Sequence, residues 1–116
     1  MQKILVIEDD LDTLDIIGFI VNDLGFHLIK ASQIMPLSDI LTIDPKIILL
    51  DYRLPNGFGS DFCKKLKSHP STKHIVVILM STHNNIGRIA KDNYADTFIE
   101  KPFDLEHLFE MLKRYK

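Results

Sequence analysis

Apolar residues fall along this chain in two alternating rhythms. Continuous runs of mostly branched residues, at 4–7, 47–50 and 75–79, alternate with segments whose apolar positions recur every three or four residues. A short unbroken apolar run reads as a strand covered on both faces. The wider spacing reads as one stripe of an amphipathic helix. Leu14, Ile17, Val21 and Leu24 form the first stripe, with Asp10 or Asp12 placed to cap its start and Gly25 to end it. A weaker strand is expected from His27 to Lys30, and a short helix over 36–43 opening near Pro36. Phe62, Cys63 and Leu66 mark a helix over about 60–68, which His69-Pro70 stops. Ile86, Ile89 and Ala90 mark a short helix within 84–92, and Thr97-Phe98-Ile99 a last strand. Asp104 caps a final helix with Leu105, Leu108, Phe109 and Leu112 on one face.

Five strands and about five helices in strict alternation predict an α/β fold, a parallel sheet with helices on both faces. There is no repeat and no linker, so residues 1–116 are expected to form a single domain. Charge changes the picture by exclusion. Fourteen Lys and Arg against sixteen Asp and Glu leave a formal net charge of −2, which offers no basic excess for direct nucleic acid binding. Cys63 is the single cysteine, so no internal disulfide forms and a cytoplasmic setting is expected; the residue is read as half-buried on its helix. No stretch approaches 18 apolar residues and no charged-then-apolar leader opens the chain, so no membrane insertion is expected.

The candidate chemistry lies at the carboxyl ends of the strands. Asp51 ends the run Ile47-Ile48-Leu49-Leu50 and precedes the turn-forming Pro55-Asn56-Gly57. Glu8-Asp9-Asp10 follows the first strand, Ser81 the fourth and Lys101 the fifth. In open α/β sheets this is the edge at which ligands bind. Carboxylates gathered there repel one another, and some stay protonated unless a cation intervenes. A hard cation with oxygen ligands suits them, and Mg²⁺ is preferred because it uses one or two carboxylates and leaves room for phosphate oxygens. Lys101 supplies an ammonium to pair with Asp51 or a phosphoryl group beside it. Ser81 supplies a hydroxyl to the same oxygens.

Taken together, Lys3-Ile4-Leu5-Val6-Ile7-Glu8-Asp9-Asp10, Leu50-Asp51-Tyr52-Arg53-Leu54-Pro55 with Gly59, Ser81, and Glu100-Lys101-Pro102-Phe103 resemble the receiver domain of two-component response regulators, over the whole chain. The resemblance implies the flavodoxin-like doubly wound sheet, order 2-1-3-4-5. It implies Asp51 as phosphoacceptor, Asp9 as direct Mg²⁺ ligand, Glu8 as a water-mediated ligand and the Arg53 carbonyl as a further one. Ser81 and Lys101 would contact the phosphoryl group, the Lys101-Pro102 bond would be cis, and Phe98 would be the switching aromatic. A histidine kinase or phosphotransferase would be the donor. An unidentified output partner would read the surface of the fourth helix, fifth strand and fifth helix, in a monomer or a phosphorylation-dependent dimer. Such a domain is a phosphoacceptor that promotes its own phosphorylation and dephosphorylation.

The chain also departs from the pattern. Ser81 and Lys101 are closer in sequence than is usual, Thr82 stands where a small residue is common, and 31–45 is short. Three rival readings use the same residues. A haloacid-dehalogenase-type phosphatase needs a second Asp two residues after the nucleophile, where this chain has Arg53. A flavodoxin-like cofactor binder needs a hydroxyl- and glycine-rich loop where Glu8-Asp9-Asp10 stands. A phosphorylation-independent scaffold would lack some key residue, and none is missing.

Overall fold

The computed structural model describes residues 2–116. The chain runs β1 (Lys3–Ile7), α1 (Leu11–Asp23), β2 (His27–Ala31), α2 (Leu37–Ile43), β3 (Ile47–Asp51), β4 (Arg53–Leu54), β5 (Gly57–Phe58), α3 (Gly59–Ser68), β6 (Val76–Ser81), α4 (Ile86–Asp92), β7 (Thr97–Glu100) and α5 (Leu105–Arg114). The main sheet has five parallel strands in the order β2-β1-β3-β6-β7. Counting those five alone, this is the expected order 2-1-3-4-5. The hairpin of β4 and β5 was not anticipated. The sequence marks Pro55-Asn56-Gly57 as a turn, and Arg53 pairs with Phe58 and Leu54 with Gly57 across it.

The two-residue alternation of side chains across a pleated strand divides the core in two. Ile4, Val6, Ile47, Leu49, Ile78, Met80 and Ile99 face α1 and α5. Leu5, Ile7, Ile48, Leu50, Val77 and Leu79 face α2, α3 and α4. The central strands are therefore buried along their length, which is why their sequences carry no polar alternation.

Helix ends follow local chemistry. Asp10, rather than Asp12, caps α1 by accepting from the Thr13 N–H at 3.2 Å, and Asp104 caps α5 by accepting from the Glu106 N–H at 2.9 Å. Gly25 leaves α1 with φ +85, a conformation that suits a residue without Cβ. Two packing details differ from expectation. Leu105 is half exposed, and Met111 joins Leu108 and Leu112 on the inner face of α5 instead. Cys63 is fully buried against the α3 face of the sheet, not half-buried, and burial pushes its thiol up to about 12.

Gly59 holds the site-bearing loop against the sheet. Its N–H donates to the Tyr52 carbonyl at 2.6 Å, and the Tyr52 N–H donates to the Met80 carbonyl at 2.8 Å. A Cβ at Gly59 would collide with the Asp51 carbonyl oxygen and lie 3.0 Å from its carbon. Gly59→Ala is expected to lower stability by about 1–3 kcal/mol, the usual range for forced overpacking. A urea melt with an unchanged midpoint would remove this assignment.

Candidate functional site

Parallel pairing builds the site. β1 and β3 pair Val6 with Leu49 and Ile7 with Leu50, so one step further the register sets Glu8 beside Asp51. Both continue the parity that faces α1 and α5 on their strands. On the other side of β3, Asp51 pairs with Met80 of β6, and Ser81 pairs with Glu100 of β7. The Lys101 N–H donates to the Ser81 carbonyl at 2.8 Å, and the Lys101-Pro102 bond is cis, as the resemblance implied. Four strand ends thus carry Glu8, Asp51, Ser81 and Lys101 to one edge of the sheet.

The charged groups make one network. The Lys101 ammonium donates to the Glu8 carboxylate and lies 3.4 Å from Asp51 Oδ1. The ion pair of Lys101 with Asp51, which the sequence offers alongside a phosphoryl group as its partner, is present, and its shorter bond goes to Glu8. Glu8 is fully buried, and Asp51 and Ser81 are nearly so. Burial raises the pKa of the Glu8 carboxyl, the adjacent Asp51 pushes the same way, and Lys101 offsets only part of it. Burial alone would lower the Lys101 ammonium; the Glu8 bond and the negative charges of Asp51 and Glu8 outweigh it and hold it raised. Two carboxylates facing one ammonium leave negative charge in excess.

Asp9 completes an acidic cluster. One carboxylate oxygen each from Glu8, Asp9 and Asp51 lies within 4.8 Å of the others, with Asp9 exposed. Hard oxygen donors with surplus negative charge fit a divalent cation that keeps part of its water shell. Asp10, at the helix cap, stays outside this cluster.

Beside the cluster a cleft of about 270 Å³ opens, lined by Asp51, Tyr52, Arg53, Ser81, Thr82, His83 and Lys101. Arg53 therefore reaches the site, though its guanidinium lies 5.6 Å from the centre of the Phe58 ring. Ser81 Oγ accepts from the His83 N–H at 2.9 Å, which leaves its own O–H free to donate. His83 and Tyr52 were not counted among the site residues by sequence reasoning. The position of His83 two residues after Ser81 was the available signal, and the hairpin that swings Phe58 against Tyr52 gave none. The switching aromatic, Phe98, is partly buried on the α4 side, against Gly87.

Comparison with known proteins agrees with this geometry. The model of the response regulator receiver domain matches residues 4–113. The phosphate regulon transcriptional regulatory protein PhoB of Escherichia coli K12 is 30% identical over 115 residues, covering 97% of this chain and 50% of its own length. The sporulation initiation phosphotransferase F of Bacillus subtilis is 27% identical, covering 98% of this chain and 93% of its own. The chemotaxis response regulator CheY4 of Vibrio cholerae superposes with a TM-score of 0.88 at 21% identity, covering 100% of this chain and 99% of its own, and so shares the fold. The chain spans about half the length of the first of these relatives. Among the described residues no helix is long and apolar enough to cross a membrane. With strand order, converging acids and family match in agreement, the chain belongs to the response regulator receiver domain family.

Proposed function

We propose that this chain accepts a phosphoryl group on Asp51 from a histidine kinase or phosphotransferase and reports it through α4, β7 and α5. The observation that carries the reading is the Glu8–Lys101–Asp51 network, with Asp9 beside it, at a cleft that Ser81 also lines. Asp51 Oδ attacks phosphorus, the bond to the donor's leaving group breaks with its electron pair, and an acyl phosphate forms. Lys101 neutralises charge on the transferred group, and the Ser81 hydroxyl donates to its oxygens. Such a reaction is catalysed mainly by positioning and charge neutralisation. Glu8, Asp9, Asp51 and the Arg53 carbonyl are the residues that would hold Mg²⁺, which when bound supplies charge neutralisation for phosphoryl oxygens. The two-component setting implies a cytoplasmic signalling role, with the output partner reading the far surface.

Asp51→Asn is expected to keep the fold and lose the mass gain of one phosphoryl group on incubation with Mg²⁺ and acetyl phosphate; unchanged incorporation would place the acceptor elsewhere. Asp9→Asn should weaken Mg²⁺ binding by at least about tenfold, equivalent to about 1.4 kcal/mol. Wild-type affinity by calorimetric titration would remove Asp9 from the ligand set.

Lys101→Ala strands the buried Glu8 carboxylate beside Asp51. In the absence of Mg²⁺ it should destabilise the chain by about 3 kcal/mol, the lower end for breaking a buried pair. It should still accept a phosphoryl group slowly while responding poorly to it. Phosphorylation-induced NMR shifts equal to those of wild type would contradict this role.

Output is proposed to travel through Ser81 and Phe98. A Cβ at Gly87 would lie 3.1 Å from the Phe98 ring, so the ring rests directly on the backbone of α4. Phe98 carries no hydroxyl, so turning inward strands no polar group. Hydrogen exchange with and without beryllofluoride, a phosphoryl mimic, should change most over residues 82–92. A change confined to the neighbourhood of Asp51 would exclude this path.

A further inference from the structure

We propose that Asn56 is a site of slow covalent self-conversion, from carboxamide to carboxylate, and that a pair of hydrogen bonds to Ile34 holds the conversion off in the folded chain. The asparagines are Asn22, Asn56, Asn84, Asn85 and Asn93, and only Asn56 is followed by glycine. Glycine has no Cβ to crowd its own amide nitrogen. Asn56 is therefore the asparagine whose carboxamide the next nitrogen reaches most readily. Asn56 and Gly57 are both exposed, so water reaches the pair.

In the first step Gly57 N gives its proton to solvent base and bonds to Asn56 Cγ. The Cγ–Nδ2 bond breaks, and the nitrogen leaves as ammonia with a proton from water. A cyclic imide remains. Water opens it at one carbonyl to give aspartate, or at the other to give isoaspartate, whose main chain runs through the former side chain and is one carbon longer. Amide and water are consumed, and carboxylate and ammonium are formed, so the step needs no further reactant.

The fold opposes the first step. Asn56 Oδ1 accepts from the Ile34 N–H and Nδ2 donates to the Ile34 carbonyl, both at 2.9 Å, so the carboxamide is turned to the segment after β2 and held at both ends. To meet Gly57 N it must release both bonds and swing back along its own chain. Gly57 is fixed as well. It pairs with Leu54 at φ +154, and a Cβ there would lie 3.2 Å from Ile34 Cδ1. The same contacts leave the products poorly held. Aspartate has no N–H for the Ile34 carbonyl and sets an acceptor against an acceptor. Isoaspartate inserts a carbon between Leu54 and Gly57, and a hairpin with two-residue strands has no spare length to absorb it. Either product therefore loosens the loop that follows Asp51.

The test incubates the whole chain at mildly alkaline pH, folded in buffer and unfolded in guanidinium chloride, and follows the gain of one mass unit by peptide mapping. Conversion is expected at residue 56 ahead of the other asparagines. It should run at least about tenfold slower in the folded chain, as two held bonds imply. Asn56→Gln, whose longer side chain closes the ring poorly, should show none at that position. Asn56→Asp, the product made directly, is expected to lower the urea midpoint and to speed hydrogen exchange at the Ile34 N–H. No conversion at residue 56 in the unfolded chain, or earlier conversion at another asparagine, overturns the site. Equal rates in the folded and unfolded chain overturn the protection by Ile34. An unchanged midpoint together with unchanged Ile34 exchange in Asn56→Asp overturns the loosening of the loop.

Discussion

The Lys101 ammonium between Glu8 and Asp51 is the contact on which the rest of the site depends. Unit charges about 4 Å apart interact on the order of 4 kcal/mol at the effective dielectric of a protein near its surface. Two carboxylates on neighbouring strands would not share that edge without a counter-charge. Parallel pairing leaves no choice of place. The register that packs Ile7 against Leu50 also sets Glu8 beside Asp51, so the fold's own geometry creates the repulsion that the cation must answer. Lys101 reaches across from the far strand and answers part of it. The remaining surplus of negative charge suits a divalent cation with oxygen ligands.

The opposite edge of the sheet is built to the contrary rule. There Lys67 donates to the carbonyls of Ile75 at 2.6 Å and Lys73 at 3.2 Å and pairs with Asp96 at 2.6 Å, while Asp96 also accepts from the Val77 N–H at 2.8 Å. Charge and hydrogen bonding close on themselves, and the connections into β6 and β7 are pinned. On the functional side the Asn56 side chain pins the hairpin by accepting from the Ile34 N–H and donating to the Ile34 carbonyl, both at 2.9 Å. The loop that follows Asp51 is therefore fixed on both sides, by Gly59 underneath and by Ile34 beyond. What remains free to respond is the segment after Ser81.

Much of this was legible in the sequence because strand ends and acid positions coincide. Four apolar runs followed by Glu8, Asp51, Ser81 and Lys101 fix the edge on which each residue stands, and the strand order came from the family resemblance, since alternation with helices gives only a parallel sheet covered on both faces. Side-chain partners were less legible. Lys101 lies 93 positions from Glu8, and its choice between two acceptors depends on strand register, which no local pattern records. The β4–β5 hairpin was missed because two-residue strands carry no period. Leu105 and Met111 exchanged places because one step of helix phase moves a residue a quarter-turn, and the exposed stripe of a terminal helix tolerates an apolar residue. The half-buried reading of Cys63 failed for a related reason: α3 lies deeper on the sheet than its polar composition suggests.

The turn at residues 81–85 joins chemistry to response. Ser81 Oγ accepts the His83 N–H, and His83 Nδ1 accepts the Asn85 N–H, so two side chains hold the backbone that leads into α4. On the proposed function, a phosphoryl group that draws the Ser81 hydroxyl inward would stretch the first of these bonds. The second leads into a helix only seven residues long, without a side-chain cap of its own. Short helices draw most of their stability from packing rather than from their own hydrogen bonds. The packing here is Ile86 and Ala90 on the core with Phe98 across Gly87. On the proposed function, a displacement at Ser81 would therefore act on a short helix held by packing, with Phe98 resting on it.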